Sequence, residues 1–532
     1  MREIRDPQKV QAWLIGSGIE SLAAAVHLIH DAHVPGPNIH ILDLHRGSGG
    51  RLKTTGDATN GYFLPVDCHP YFHGPCTERL LSLIPSDESQ HASLMDAVNA
   101  YSEQRPPHEA HTRAVRRGES GPEVSHTPGF QLDVKHRMDL IWFLMETEHA
   151  LGAKEINQAF DLAFFDTEFW KIWSTTFELQ PWHSAVEFHR HLRKYLENIR
   201  SLKSVKTFHR TRYNLYDSIV RPLTSHLQSQ GVDFRFNVQV TGLDTASSND
   251  PTTVSEIHFR KYDSEEECRV SLSPSDICIA ILGSTTTNSA MGSDDSPPPY
   301  LSAHWEDLLI SEWGLWQALS RQSAIFGDPT CFLPRAVQAS VESFTTTLHN
   351  PDFLRLIQNL TRDKQETDAS LSLRDSNWGL TLSIPPQPVF PDQPEDVHVV
   401  LGYALSPASE GNFIRKHMFA CSGREIFEEV LRHLGFPVEL ILPASSTIPC
   451  GLPLGTAPFL SREKGDRPRV IPANTTNIAC VGQFVEIAED TTLSLEYSVR
   501  GAQMAVSGLM GTPRVTGAIK KNILWEVFDL LK

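Results

Sequence analysis

The run Ala12, Trp13, Leu14, Ile15 is unbroken and apolar, which predicts a short strand buried on both faces. A glycine turn follows, and then LAAAVHLIHDA repeats its apolar residues at helical spacing. Asn38 to Leu42 predicts a second strand, so residues 1–60 form a βαβ unit and the fold class is α/β. Residues 137–200 turn helical and aromatic, in LIWFLMETEHAL, FDLAFFDTEFWKIWSTTF and AVEFHRHLRKYLENI. These aromatics either build a core or line an apolar pocket, and core is the commoner use. Asp217 to Gln230 predicts an amphipathic helix, and Val232 to Val240 alternates as a strand placed to return to the first sheet. Ile277 to Leu282 predicts another strand, residues 303–360 helices, and residues 376–384 and 396–405 strands. A helix over 423–435 ends at Gly435, and a strand over 477–482 leads through a polar loop into a long helix. Residues 102–130 are polar and broken by Pro and Gly, which predicts a long exposed insertion, partly disordered. AIKKNILWEVFDLLK places Ile519, Ile523, Val527 and Leu530 on one helical face, suited to docking on the protein or a second subunit, with a membrane surface as the alternative.

Composition narrows the class. A chain of 532 residues, 40% hydrophobic and 9% aromatic, has a large core and several domains. A formal charge of −17 argues against nucleic acid as a partner, because phosphate backbones need a basic surface. The eight cysteines, at 68, 76, 268, 278, 331, 421, 450 and 480, include no C-x-x-C, so no metal site is indicated. The charged start runs straight into the first strand, and no apolar run approaches the roughly 20 residues of a membrane helix. The expectation is a soluble, intracellular, cytoplasmic protein with reduced thiols.

The first candidate chemistry lies in QAWLIGSGIES. Gly16, Gly18 and Ser21 hold the G-x-G-x-x-small positions: a sharp turn, a close approach for pyrophosphate, and a small side chain for helix–strand packing. Ser17 and Glu20 belong to the same turn. Asp43 ends the second strand a little over twenty residues beyond the glycines, where an acid meets a ribose hydroxyl. Strand, turn, helix, strand and acid in that order predict a dinucleotide site. Gly49, Gly50 and Arg51, in the loop after Asp43, are placed to wrap the far side of the pyrophosphate. The irregular stretch that follows, GYFLPVDCHPYFHGPCTERLLSLIP, is a natural place for reactive groups, and it carries Asp67, Cys68, His69, Tyr71, His73 and Cys76.

Several blocks together resemble the oleate hydratase family, also called myosin-cross-reactive antigens. They are GSGIESLAAAVHLI with VPGPNIHILD, YNLYDSIVRPL with GVDFRFNVQVTGLD, MGSDDSPPP, DSNWGLTLSIPPQPVF, FIRKHMFACSGREIFEEVLRHLG, TIPCGLPLGTAPFLSREKGDRPRVIP and VGQFVEIAEDTTLSLEYSVRGA. They run in family order over nearly the whole chain. The resemblance implies an FAD-binding Rossmann-type (GR2-like) lobe, interleaved substrate-capping and helical lobes, a hydrophobic small-molecule substrate and a homodimer. It divides the chain into an FAD-binding βαβ unit with active-site loop (1–85), an insertion and helical capping region (86–200), a return to the FAD lobe (201–300), a substrate-binding mixed lobe (301–470) and a C-terminal FAD-contacting segment with an amphipathic helix (471–532). It adds Val240, Gly482 and Glu496 to the cofactor contacts.

One departure changes the expected chemistry. Family members carry an Arg-Gly-Gly-Arg-Glu-Met-Glu loop whose first Glu activates water. Here the loop reads PVDCHPY, so that position falls on His69, with Asp67 two residues away. The family's proton-donating Tyr corresponds to Tyr213 or Tyr216. A His near pKa 6.5 still suits proton transfer at neutrality, and a Tyr near 10 is an acid that needs assistance. Alkene hydration, its reverse, and double-bond isomerisation all fit such a pair. The alternatives are a flavin oxidoreductase of a lipophilic substrate and an inactive FAD- and lipid-binding homologue.

Overall fold

The computed structural model of the chain describes residues 5–65, 71–72, 74–86, 92–104, 111–118, 121–124, 132–195, 209–246, 252–261, 266–299, 312–362 and 369–513. β1 (Ala12–Ile15) is apolar throughout because it enters a sheet covered on both faces, and all four residues are buried. It pairs in parallel with β2 (Ile39–Leu42) on one side and with Ile277–Ile281 on the other. Ile478–Val481 and Asp233–Arg235 extend these to five parallel strands. The expected interleaving is present: one sheet takes strands from the start, middle and end of the chain. α1 (Ile19–His30) crosses from β1 to β2, and its run Ala23, Ala24, Ala25 lets the long helix Leu495–Met510, the last helix among the described residues, pack closely against it. This is a Rossmann-type α/β lobe.

The alternating run from Val232 to Val240 serves two sheets. Asp233–Arg235 joins the parallel sheet, and after Asn237, at φ 57°, Val238–Ala246 turns into a separate three-stranded antiparallel sheet.

A larger sheet of eight strands stands beside this lobe. Its order is Ala290–Met291, Ser445–Leu452, Val341–Leu348, His398–Ala404, Leu380–Ile384, Ala369–Leu373, His111–Gly118 and Gly121–Val124. Two expectations fail here. Val341–Leu348 lies in the span read as helical, yet it is a strand buried at every residue. Its three threonines disguise the pattern. Thr345 and Thr347 face inward and accept the backbone N–H groups of Leu64 and Tyr62 at 3.0 and 2.9 Å. The span 102–130 is likewise not all exposed insertion, because residues 111–118 and 121–124 pair into the sheet. At this end of the sheet Arg116, Arg117 and Glu123 turn to solvent, while Ala114, Val115 and Val124 are buried.

Residues 132–195 form a helical lobe around Phe143, Phe160, Phe164, Phe169, Trp170, Trp173 and Phe188. The dense aromatics are its core. Phe160 stacks on Phe164 with centroids 4.2 Å apart. A buried ionic network ties this lobe to the C-terminal third. Glu187 accepts from Arg462 at 2.6 Å and Arg467 at 3.1 Å, and Arg190 binds Glu148 at 2.8 Å and Glu486 at 2.6 Å. Among the described residues no helix is long and apolar enough to cross a membrane. The terminal amphipathic segment, with Ile519, Ile523, Val527 and Leu530, lies outside the described residues.

Candidate functional site

β1 hands over to α1 through Gly16, whose φ of 93° and contact with Ile281 leave no room for a side chain: a Cβ there would lie 2.9 Å from Ile281 Cδ1. Gly18 is the N-cap of α1 and offers no side chain to its first turn. The N–H groups of that turn therefore stand open to an anion. They border a cavity of about 940 Å³, open mouth included, at the C-terminal ends of the parallel strands. Of the residues expected to hold a cofactor, Gly16, Ser17, Gly18, Glu20, Asp43, Gly49, Gly50, Arg51, Val240 and Gly482 line it.

Asp43 is fixed in place. Its Oδ2 accepts from Ser17 N at 2.5 Å and Ser17 Oγ at 2.7 Å, and its Oδ1 accepts from His45 N at 2.6 Å. Each oxygen keeps acceptor capacity for a ribose hydroxyl. The loop after it folds back on the glycine turn, with Gly49 N donating to Ser17 O at 2.9 Å. Arg51 Nη1 reaches across to Thr285 Oγ1 at 3.0 Å. Glu20 Oε1 accepts from Ser498 Oγ at 2.7 Å, and that hydroxyl accepts from Gln483 Nε2 at 2.7 Å. Gln239, Ser284, Thr285, Leu315 and Gln483 also line the cavity and were not foreseen, since polar and aliphatic loop residues carry no spacing signal. A bare glycine turn, an uncapped helix start, a fixed acid and a cross-cavity arginine fit a dinucleotide.

Two expected cofactor contacts lie elsewhere. Ser21 is buried inside α1 and does not line the cavity, so it serves the packing half of its motif. Glu496 caps a different helix, α2 (Pro75–Ser82). It accepts from Cys76 N at 3.1 Å, Thr77 N at 2.9 Å and Thr77 Oγ1 at 3.0 Å, and Arg500 Nη2 binds it at 2.8 Å. Arg500 Nε continues to Asp490 at 2.8 Å, and Asp490 takes Lys194 Nζ of the helical lobe at 2.8 Å.

His69 and Asp67 lie outside the described residues, as do Cys68 and His73. The flanks of their loop are placed. Gly61–Phe63 hangs on Val341–Leu348, an inner strand of the large sheet, and Tyr71–Phe72 pairs antiparallel with His209–Arg210, just ahead of the tyrosine segment. In that segment Asn214 and Asp217 bond reciprocally, Asp217 N to Asn214 Oδ1 at 3.0 Å and Asn214 Nδ2 to Asp217 Oδ2 at 2.7 Å. Tyr216–Val220 is then a π-helical turn, a form that recurs at functional sites. The two tyrosines part here. Tyr216 lies against Gly49 on the cavity loop: at φ 113°, a Cβ on Gly49 would sit 2.8 Å from Tyr216 Cε2. Each ring also carries a guanidinium, Arg212 over Tyr213 at 5.2 Å and Arg221 over Tyr216 at 5.6 Å.

The model of the MCRA family matches residues 9–507. The chain belongs to the MCRA family. It is 33% identical to an oleate hydratase of Streptococcus pyogenes serotype M49 (strain NZ131), across 99% of this chain and 90% of that one. It is 26% identical to a linoleate hydratase of Lactiplantibacillus plantarum, across 95% of this chain and 94% of that one. Among solved structures it is similar to an oxidoreductase from Methanosarcina mazei, with a TM-score of 0.54 at 10% identity, covering 94% of this chain and all of that one. That last likeness concerns the fold alone. Away from the cavity of this MCRA chain, His258, Asp244 and Glu256 gather on the small antiparallel sheet, where His258 Nε2 lies 2.9 Å from Asp244 Oδ2.

Proposed function

We propose that this chain binds FAD in the cavity and performs non-redox chemistry on the alkene of a hydrophobic substrate: adding or removing water, or moving the double bond. A fatty acid is the first substrate to try, since the relatives are named for oleate and linoleate, and a polyketide or terpenoid intermediate is the wider class. One observation carries the reading. Tyr71–Phe72, at the exit of the loop that should react, pairs with the strand leading into the tyrosine segment, and Tyr216 of that segment rests on Gly49 of the cavity loop.

Gly16, Gly18 and the start of α1 would hold the pyrophosphate, Asp43 a ribose, and Arg51 the far side of the phosphates. When bound, the flavin supplies a planar polarisable face that shapes the reacting site. Tyr216 gives a proton to one alkene carbon, which leaves Tyr213 as support. His69 takes a proton from water as the water oxygen bonds to the other alkene carbon, or takes one from an allylic carbon when the double bond moves, and Asp67, two residues earlier in sequence, is the alternative carboxylate. The chain works as a soluble homodimer inside the cell in this reading.

The test is product analysis after incubating FAD-loaded protein with oleic and linoleic acids. Y216F and H69A should each lower turnover at least a hundredfold, the usual scale for a general acid or base. Y213F should leave more than a tenth of it. Full activity in Y216F would remove the assignment.

A further inference from the structure

We infer that Glu20 works against the cofactor, holding the phosphate-binding end of α1 at a negative potential so that the dinucleotide binds weakly and exchanges. The inference rests on the cavity being a dinucleotide site. Gly18 caps α1, Ile19 is its first helical residue and Glu20 its second. The helix start is where the pyrophosphate has to lie, and its partial positive charge is what draws an anion there. A carboxylate already lies beside that place. Glu20 is 7% exposed, and its Oε2 lies over the glycine left bare for the phosphate: a Cβ on Gly18 would sit 2.9 Å from it.

The acid is also held from leaving. Its Oε1 is tied to Ser498 Oγ at 2.7 Å, and Gln483 Nε2 fixes that hydroxyl in turn at 2.7 Å. The other charges do not cancel it. Among the described lining residues Glu20 and Asp43 are acids, and Arg51 is the one Arg or Lys. Asp43 is suited to a ribose hydroxyl, which is neutral. The pyrophosphate would bring two further negative charges beside Glu20. One like-charge pair at about 5 Å near a protein surface is worth a factor of ten or more in affinity. Glu20 thereby stabilises α1 through its dipole while taxing the ligand that uses the same dipole.

The experiment is FAD titration of the full-length apoprotein by flavin fluorescence, for wild type, E20Q and E20A, with ADP and adenosine as further probes. Glu20→Gln keeps the shape and the Ser498 bond while removing the charge. E20Q and E20A should bind FAD and ADP at least tenfold more tightly than wild type, while adenosine, which has no phosphate, binds all three alike. Should E20Q fail to fold, E20A carries the comparison. FAD affinity within twofold of wild type, weaker affinity, or an equal gain for adenosine would overturn the inference while leaving the cofactor site in place. If neither wild type nor variant takes FAD, the inference and the cofactor reading fall together.

Discussion

Glu342 sits on an inner strand of the eight-stranded sheet with no exposure, and among the described residues neither carboxylate oxygen has a hydrogen-bond partner. Its cross-strand neighbours are Ala404 and Gly451, neither of which offers a side-chain donor. Burial alone holds its carboxyl well above the ordinary range, so it folds with its proton on. Below about pH 4.3 the folded and unfolded chains both carry that proton, and it costs nothing. Above that, the unfolded chain releases its proton and the folded chain does not, so stability falls as pH rises until the folded group ionises. The slope is at most about 1.4 kcal/mol per pH unit, and it holds as long as the folded group keeps its proton. E342Q has nearly the same shape and no ionisation. Its stability relative to wild type should therefore grow as pH rises from 5 to 7, by up to about 1.4 kcal/mol per pH unit, whatever its offset at pH 5. Hydrogen exchange of the Val341–Leu348 amides, read at both pH values, measures the difference in the strand that carries the substitution. Parallel pH profiles for the two proteins would refute the reasoning, because they would mean that Glu342 is ionised or solvated in the folded chain.

Glu187→Gln should cost about 3–5 kcal/mol, because it leaves Arg462 and Arg467 buried with half their compensation; a lowered thermal midpoint is the readout. Glu496→Gln should raise hydrogen exchange over Pro75–Ser82 while leaving FAD affinity within twofold, opposite to what a cofactor contact would do. His183 and His191 are held down to about 3 and about 4 by burial, so the folded chain keeps them neutral while the unfolded chain protonates them near 6.5. Stability is complete above pH 6.5 and falls on acidification, toward pH 4 for His191 and pH 3 for His183. H191F should make urea unfolding less steeply acid-sensitive between pH 6 and 4, and an unchanged slope would contradict the burial argument.

What the sequence displays is what depends on local spacing. The glycine turn, α1, Asp43 and the loop at Gly49 to Arg51 sit within one stretch of the chain, and each has a backbone or charge requirement that dictates its residue type. The structure gathers them on one cavity. Glu496 shows the opposite case. An acid on a helix following a polar loop looks like a cofactor contact, but its partners, Cys76 and Thr77, lie some 420 residues earlier, and no local pattern announces them. Val341–Leu348 escaped because its threonines read as polar until Tyr62 and Leu64 are seen to use them. The strands at 111–124 escaped because Arg116, Arg117 and Glu123 face solvent and make the stretch read as a polar loop. The two candidate tyrosines are equivalent by motif, and only the packing of Tyr216 on Gly49 tells them apart.

The measurement that tests the central claim most directly is anaerobic incubation of FAD-loaded protein with oleic acid in heavy-oxygen water, with flavin oxidised and then reduced. Product mass and flavin spectrum are followed together. The account predicts either the gain of one labelled water or an unchanged mass with a moved double bond, abolished in H69A, with no net change in flavin oxidation state. Bleaching of oxidised flavin in step with loss of two hydrogens from the substrate would contradict it and make the chain an oxidoreductase.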